Sequence, residues 1–193
     1  MAHQFKIKHN VEYILRDKDG NIKRIFQDNA IARFLMERGK LSPLWINKWY
    51  SVFLSPFLGH WAKSLNIHNL VTNAGKAGVA SRINGADAEA AFTYIAMGTG
   101  ATAAAAGNTT LQTELAASGL SRANATASRV TTTVTNDTAQ LVYTFSVTGT
   151  AAVTESGVLN AASVGTLLAR QVFSAINVVN GDSLQITWKF AVS

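Results

Sequence analysis

The residues best equipped for chemistry in this chain are few and badly spaced for it. The four histidines, His3, His9, His60 and His68, never fall at the i, i+4 interval that sets two metal ligands on one helical face, and no cysteine is present to join them. Neither HExxH nor GxSxG occurs. Asp17 and Asp19 resemble the opening of a calcium loop, but Arg, Ile and Phe stand where the closing bidentate Glu belongs. They read instead as turn residues around Gly20. Gly98-Thr99-Gly100 follows an apolar run, as a phosphate loop would. Yet it lacks GxxxxGK[ST] and a third glycine opening a helix, and Ala103 to Ala106 offer a phosphate nothing. A structural loop is the expectation there. Asp87 and Glu89 stand between alanines in an expected loop. An enzyme thus has no supporting constellation, and no catalytic, cofactor-binding or metal site is expected.

Charge divides the chain in two. Residues 1 to 70 carry eleven Lys/Arg against five Asp/Glu, whereas residues 71 to 193 carry six of each, so the net +6 sits wholly in the first part. Such asymmetry suits an acidic partner or simply a solvated face. The cations match no nucleic-acid reader module, so no sequence-specific nucleic acid is expected. The most apolar window, Leu44 to Trp61, is broken by Lys48 and Pro56 and is short for a bilayer span. Neither a membrane segment nor a signal peptide is expected.

These residues need elements to hold them. Phe5, Ile7, Val11, Tyr13 and Leu15 alternate with polar residues, and Ile22 to Phe26 follow an Asp-Gly turn, which predicts a β-hairpin within 1–28 that joins a larger sheet. Residues 29–70 form an aromatic, basic segment. A helix is predicted from a cap at Asp28 or Asn29 to Gly39, with Ile31, Phe34 and Leu35 as its apolar face. A second is predicted over Leu44 to Leu54, ended or kinked by Pro56, with a further run from Phe57 to Leu65. Trp45, Trp49, Phe53, Phe57 and Trp61 fall within it. They suit either a small self-packed subdomain or an arm whose aromatic face is completed by another chain, and those five are the candidate partner-binding residues.

From residue 71 the chain changes character. AGKAGVASRI has a helical period in Ala74, Ala77, Val79 and Ile83, with glycines suited to close packing on a sheet. Tyr94 to Met97 predict a short buried strand, and NTTLQTEL (108–115) a short capped helix. Strand patterns then repeat to Leu184, Ile186, Trp188, Phe190 and Val192. The fold class predicted is mainly β (α+β): an antiparallel β-sandwich over 71–193, one wet face per sheet, with an N-terminal hairpin and an inserted aromatic helical segment.

FTYIAMGTG (92–100), TESGVLNA (154–161), GTLLARQVFS (165–174) and VVNGDSLQITWK (178–189) stand in an order that resembles a widespread group of tailed-bacteriophage structural proteins. The resemblance spans residues 71 to 192, and the hairpin followed by HNLVTNAGKAGVA (68–80) is similar to that family's opening. Residues 30 to 66 depart from the pattern. The resemblance implies a non-enzymatic, cofactor-free virion component that assembles with other virion proteins and itself as a homo-oligomer. A tail or head-tail-junction position is favoured over capsid decoration, and a glycan- or receptor-binding module of a fibre is the alternative. It also implies turn roles for Gly98, Gly100, Gly157, Gly165 and Gly181, and a cross-strand pair between Glu155 and Arg170.

Overall fold

The computed structural model describes residues 7–192; His3 and Phe5, and the side chain of His9, lie outside what it describes. The chain is mainly β, two antiparallel sheets face to face with a small two-stranded antiparallel sheet, Ile25–Asp28 on Gly59–Ala62, beside them. In chain order the elements are β1 (Ile7–Arg16), β2 (Ile22–Lys23), β3 (Ile25–Asp28), α1 (Ala30–Glu37), a 3₁₀ turn (Pro43–Asn47), α2 (Ser51–Leu58), β4 (Gly59–Ala62), β5 (Leu65–Ile67), β6 (Leu70–Val71) and α3 (Asn73–Asn84). There follow β7 (Tyr94–Gly98), β8 (Ala123–Asn124), β9 (Thr126–Val130), β10 (Thr138–Ser146), β11 (Ala151–Leu159), β12 (Leu167–Val178) and β13 (Ser183–Val192).

The first sheet runs β2-β1-β13-β10-β9, with β5 also on β1, and the second β6-β12-β11-β7-β8. First and last strands pair along their whole length, from Ile7 opposite Val192 to Arg16 opposite Ser183. The Asp-Gly turn that carries β1 into β2 is fastened by Asp17 Oδ1, which accepts from the N–H groups of Asp19 (3.0 Å) and Asn21 (2.9 Å). The core lies between the sheets: Val11, Tyr13, Ile186, Trp188 and Phe145 from one, Ile95, Met97, Val158 and Phe173 from the other. Period two puts Leu184, Ile186, Trp188 and Phe190 of β13 on that face, whereas Val192 is exposed.

Four sequence-based expectations change. One wet face per sheet holds for the first sheet only; β11 and β12 are buried on both faces. The outer face of the second sheet is roofed by the 99–115 loop, where Leu111 packs with Ala96, Leu159 and Leu167. Residues 108–115 are not a helix, because their N–H groups are spent on Glu155 and on a bridge between Glu114 and Gly98. In α3, capped by Thr72 Oγ1 on the Gly75 N–H (2.9 Å), the buried face is Gly75, Gly78 and Ser81, with Ile83 exposed. Gly75 lies so close to the Leu168 backbone that a Cβ there would collide with it. The aromatic segment, finally, is a 3₁₀ turn, α2 with Pro56 inside its last turn, and a strand, rather than one helix over 44–54.

Candidate functional site

Two places in the molecule concentrate chemistry or surface. The first is a buried carboxylate–guanidinium pair beneath the 99–113 loop. Glu155 projects from β11 and Arg170 from β12, with Arg170 Nε donating to Glu155 Oε2 at 2.7 Å, both side chains almost wholly buried. The carboxylate also accepts from Gly100 N–H (3.0 Å), Thr113 N–H (2.7 Å) and Gln112 N–H (3.1 Å). The guanidinium spends its other donors on the carbonyls of Thr102 (3.0 Å) and Ala103 (3.3 Å) and on Asn108 Oδ1 (3.0 Å).

The local sequence explains why both glycines stand in Gly98-Thr99-Gly100. A Cβ at Gly98 would lie 2.5 Å from Glu155 Oε1, and one at Gly100 would also meet the carboxylate. The glycines leave room for an acid instead of a phosphate. With the acid saturated by one cation and three N–H groups, no lone pair or proton is left poised for a reactant. The pair holds a loop to a sheet, and its burial makes it far more consequential than an exposed pair.

A second ion pair fixes the neighbouring loops. Arg122 meets Glu114 through Nη2 (2.7 Å) and Nε (2.8 Å) and donates through Nη1 to the carbonyls of Val164 (2.7 Å) and Ala161 (2.9 Å).

The second place is the 29–62 segment, which has an inside and an outside. Inside, Phe26, Ala32, Trp45 and Leu58 form a small core. Phe26 meets Trp45 edge-on at 5.1 Å and Trp61 at 5.6 Å. Trp45 is fully buried, and its indole N–H donates to Ser174 Oγ on β12 (2.7 Å). That hydroxyl donates in turn to Asp28 Oδ1 (2.6 Å), while Asp28 Oδ2 accepts from Ser174 N–H (3.1 Å). Burial pushes the Asp28 carboxyl above its ordinary range, against the Ser174 hydrogen bonds and the Arg33 charge, which pull it down. Trp45 is therefore a seam residue of its own chain, and its expected place among the partner-binding aromatics is corrected: an indole with no exposed surface has none to offer.

Outside, the four other candidates stay open to water. Trp49 is 82 % exposed and Phe57 72 %, with Phe53 and Trp61 also more than half exposed. Phe53 and Phe57 are four residues apart on one side of α2, and Trp49 stands in the turn just before the helix. This helix buries only Leu58 and has no side-chain cap at Tyr50. Its apolar stripe faces the wrong way for a helix stabilised by its own domain. The apolar face expected for the first helix is corrected: α1 buries Ala32 and Met36 and leaves Ile31 and Phe34 exposed, so these two join the open surface without having been among its candidates. Sequence reasoning missed Val52 too. Asn29 caps α1 by accepting from Ala32 N–H (3.0 Å); Ala32 and Met36 are also four apart, so spacing alone did not tell the two faces apart.

No family model, curated protein or solved structure matches this chain. Among the described residues no helix is long and apolar enough to cross a membrane.

Proposed function

We propose that this chain is a non-enzymatic structural component of a tailed-phage virion, attached to a neighbouring virion protein through the open aromatic face of residues 31–61. One observation carries this reading: a segment that closes its own small core still leaves Trp49, Phe53, Phe57 and Trp61 exposed. Surfaces of this kind mark protein interaction sites, and Trp and Arg anchors carry most of their energy. Between residues 29 and 70 the charges are five Lys/Arg to one Glu. The partner surface that fits is therefore apolar at its centre and acidic at its rim. The phage resemblance lends support from a different direction, since its motif residues Gly98, Gly100, Glu155 and Arg170 converge on a loop lock that leaves no group free for catalysis.

The position favoured is the tail or head-tail junction, because the segment that departs from the family pattern is the one bearing the adaptor-like face; capsid decoration is the alternative. The test is incorporation. Particles assembled with the Trp49→Ala/Phe57→Ala protein should lack it, and imaging labelled wild-type protein should place it at one end of the tail. Normal incorporation of the double variant would refute the docking face. Label spread over the head would favour decoration, and tryptophan-dependent binding on a glycan array would favour the fibre-module reading.

A further inference from the structure

The two sheets lie open at one end. Where β1 begins and β13 ends, Ile7 stands opposite Val192, and beside this pair is a pocket of about 250 Å³ lined from both sheets and α3. The nearly buried Leu141, Leu168 and Phe190 share its lining with the exposed Ala91, Ala139 and Val192, so it runs from the main core out to water.

Its chemistry is one-sided. Arg82 is the one polar side chain among the described residues that line it, and Nη1 of that arginine donates to the Glu89 carbonyl (3.0 Å). Such a lining fits an apolar side chain rather than a polar ligand. An apolar cavity of roughly 150 Å³ is enough to take up benzene, so a phenyl ring has room here. The chain itself carries one at the right place. Val11, Tyr13 and Leu15 are buried and Ile7 packs on the same core, which makes the odd-numbered positions the inner face of β1. In MAHQFK, the six residues before Ile7, the next odd position is Phe5. At about 3.4 Å per residue, a strand carried on by two residues sets Phe5 about 7 Å beyond Ile7, over the mouth of the pocket.

We propose that this pocket is filled by the chain's own residues 1–6, with the Phe5 ring set against Val79, Leu141 and Leu168 as β1 runs on past Ile7. Lys6 then falls on the outer face with the exposed Lys8 and keeps its charge in water. An apolar residue of a second copy or of another protein would fit the same lining. Either must displace a ring tethered two residues from the rim, whose effective concentration is on the order of millimolar. The segment acts as a clasp that joins the two sheets and α3 at their open end and withholds the pocket from apolar ligands. The clasp is independent of the virion reading and of the aromatic face, so each can fail without the other.

The experiment is an NMR measurement on the untagged full chain, with Val and Leu methyls ¹³C-labelled and Phe protonated in a deuterated background. Ring-to-methyl cross-peaks should reach Val79, Leu141 and Leu168, and those from Phe5 are the ones lost in Phe5→Leu, which keeps an apolar side chain in place. Phe5→Ala, by contrast, should open the pocket: benzene should then give saturable shifts at the same three methyls, and none in the wild type at the same concentration. The cross-peaks decide the matter by themselves should Phe5→Ala fold poorly. Their absence from the wild-type chain would overturn the proposal, as would equal benzene shifts in wild type and Phe5→Ala. Cross-peaks that pass between labelled and unlabelled molecules in a mixture would overturn it too, by assigning the pocket to a second copy.

Discussion

The second sheet and the aromatic segment use polar and apolar residues in opposite ways. Under the 99–113 loop a full ion pair is buried, and each of its charges is answered several times over. In the 29–62 segment large aromatics are exposed, and Trp45 turns inward with its neighbours against Phe26 of β3. One region has hidden what water would welcome; the other shows water what it would normally hide. A buried, saturated pair is explained by the fold alone, whereas an exposed aromatic stripe is explained only by something outside it. Burial, more than residue type, separates the structural site from the candidate functional one.

The sharpest way to break this comparison is at its buried end. Glu155→Gln should destabilise the protein by about 3–5 kcal/mol in urea unfolding, because it leaves Arg170 buried without its counter-charge and weakens the acceptor for three loop N–H groups. A loss below about 1 kcal/mol, the exposed-pair range, would mean that water reaches the pair and that the loop is not held by it.

A somewhat smaller effect is expected at the seam. Trp45→Ala empties the centre of a satellite core and leaves Ser174 Oγ without its indole donor, so a loss of about 3 kcal/mol, the lower end for a large-to-small aromatic truncation, is expected. An unchanged urea midpoint would show the 29–62 segment hanging free of the sandwich.

Asp28 gives the seam a pH dependence of known sign. Its folded-state pKa is raised above the ordinary 3.8 by burial, so the folded state holds the proton more tightly than the unfolded one. The stability this contributes is complete below 3.8 and lost as pH rises through the folded value. Asp28→Asn removes that titration, so the variant's stability relative to wild type should climb from about pH 4 upward. Asp137 opposes this in the wild type: three N–H groups and the Thr138 hydroxyl hold its carboxyl well below the usual range. Its contribution is lost as pH falls, which is why the difference between variant and wild type, not the raw profile, is the measurement. A flat difference would place Asp28 in water.

How much of this could be read in the sequence depended on how local the cause was. The β13 strand and its core face followed from period two, and the Asp17–Asn21 turn from its own residues. The capped helix at 108–115 failed because its N–H groups answer to Glu155, more than forty residues away in the chain. Nothing local in NTTLQTEL reports that. In α3 the expected close packing of the glycines holds and Val79 packs on the core, but Ile83, which hydropathy also favoured, is exposed, and it is against Gly75 that the Leu168 backbone sits. At the candidate site the sequence marked the aromatic cluster but could not divide it. Trp45 and Trp49 are four residues apart in a string of similar residues, and what separates them is Ser174, on a strand at the other end of the chain.

That division supplies the smallest effect on stability and the most telling one for function. Trp49 and Phe57 bury little in the chain itself, so Trp49→Ala and Phe57→Ala should each shift unfolding free energy by no more than about 0.5 kcal/mol, the range of ordinary surface substitutions. On a partner the same side chains would remove apolar area from water at about 25 cal/mol per Å², offset by the freedom lost on association. The two variants should therefore unfold like the wild type and yet fail to enter the particle, while Trp45→Ala unfolds early. If Trp49→Ala lowers the urea midpoint as far as Trp45→Ala does, the stripe belongs to the fold, the two tryptophans are alike, and the surface needs no partner to explain it.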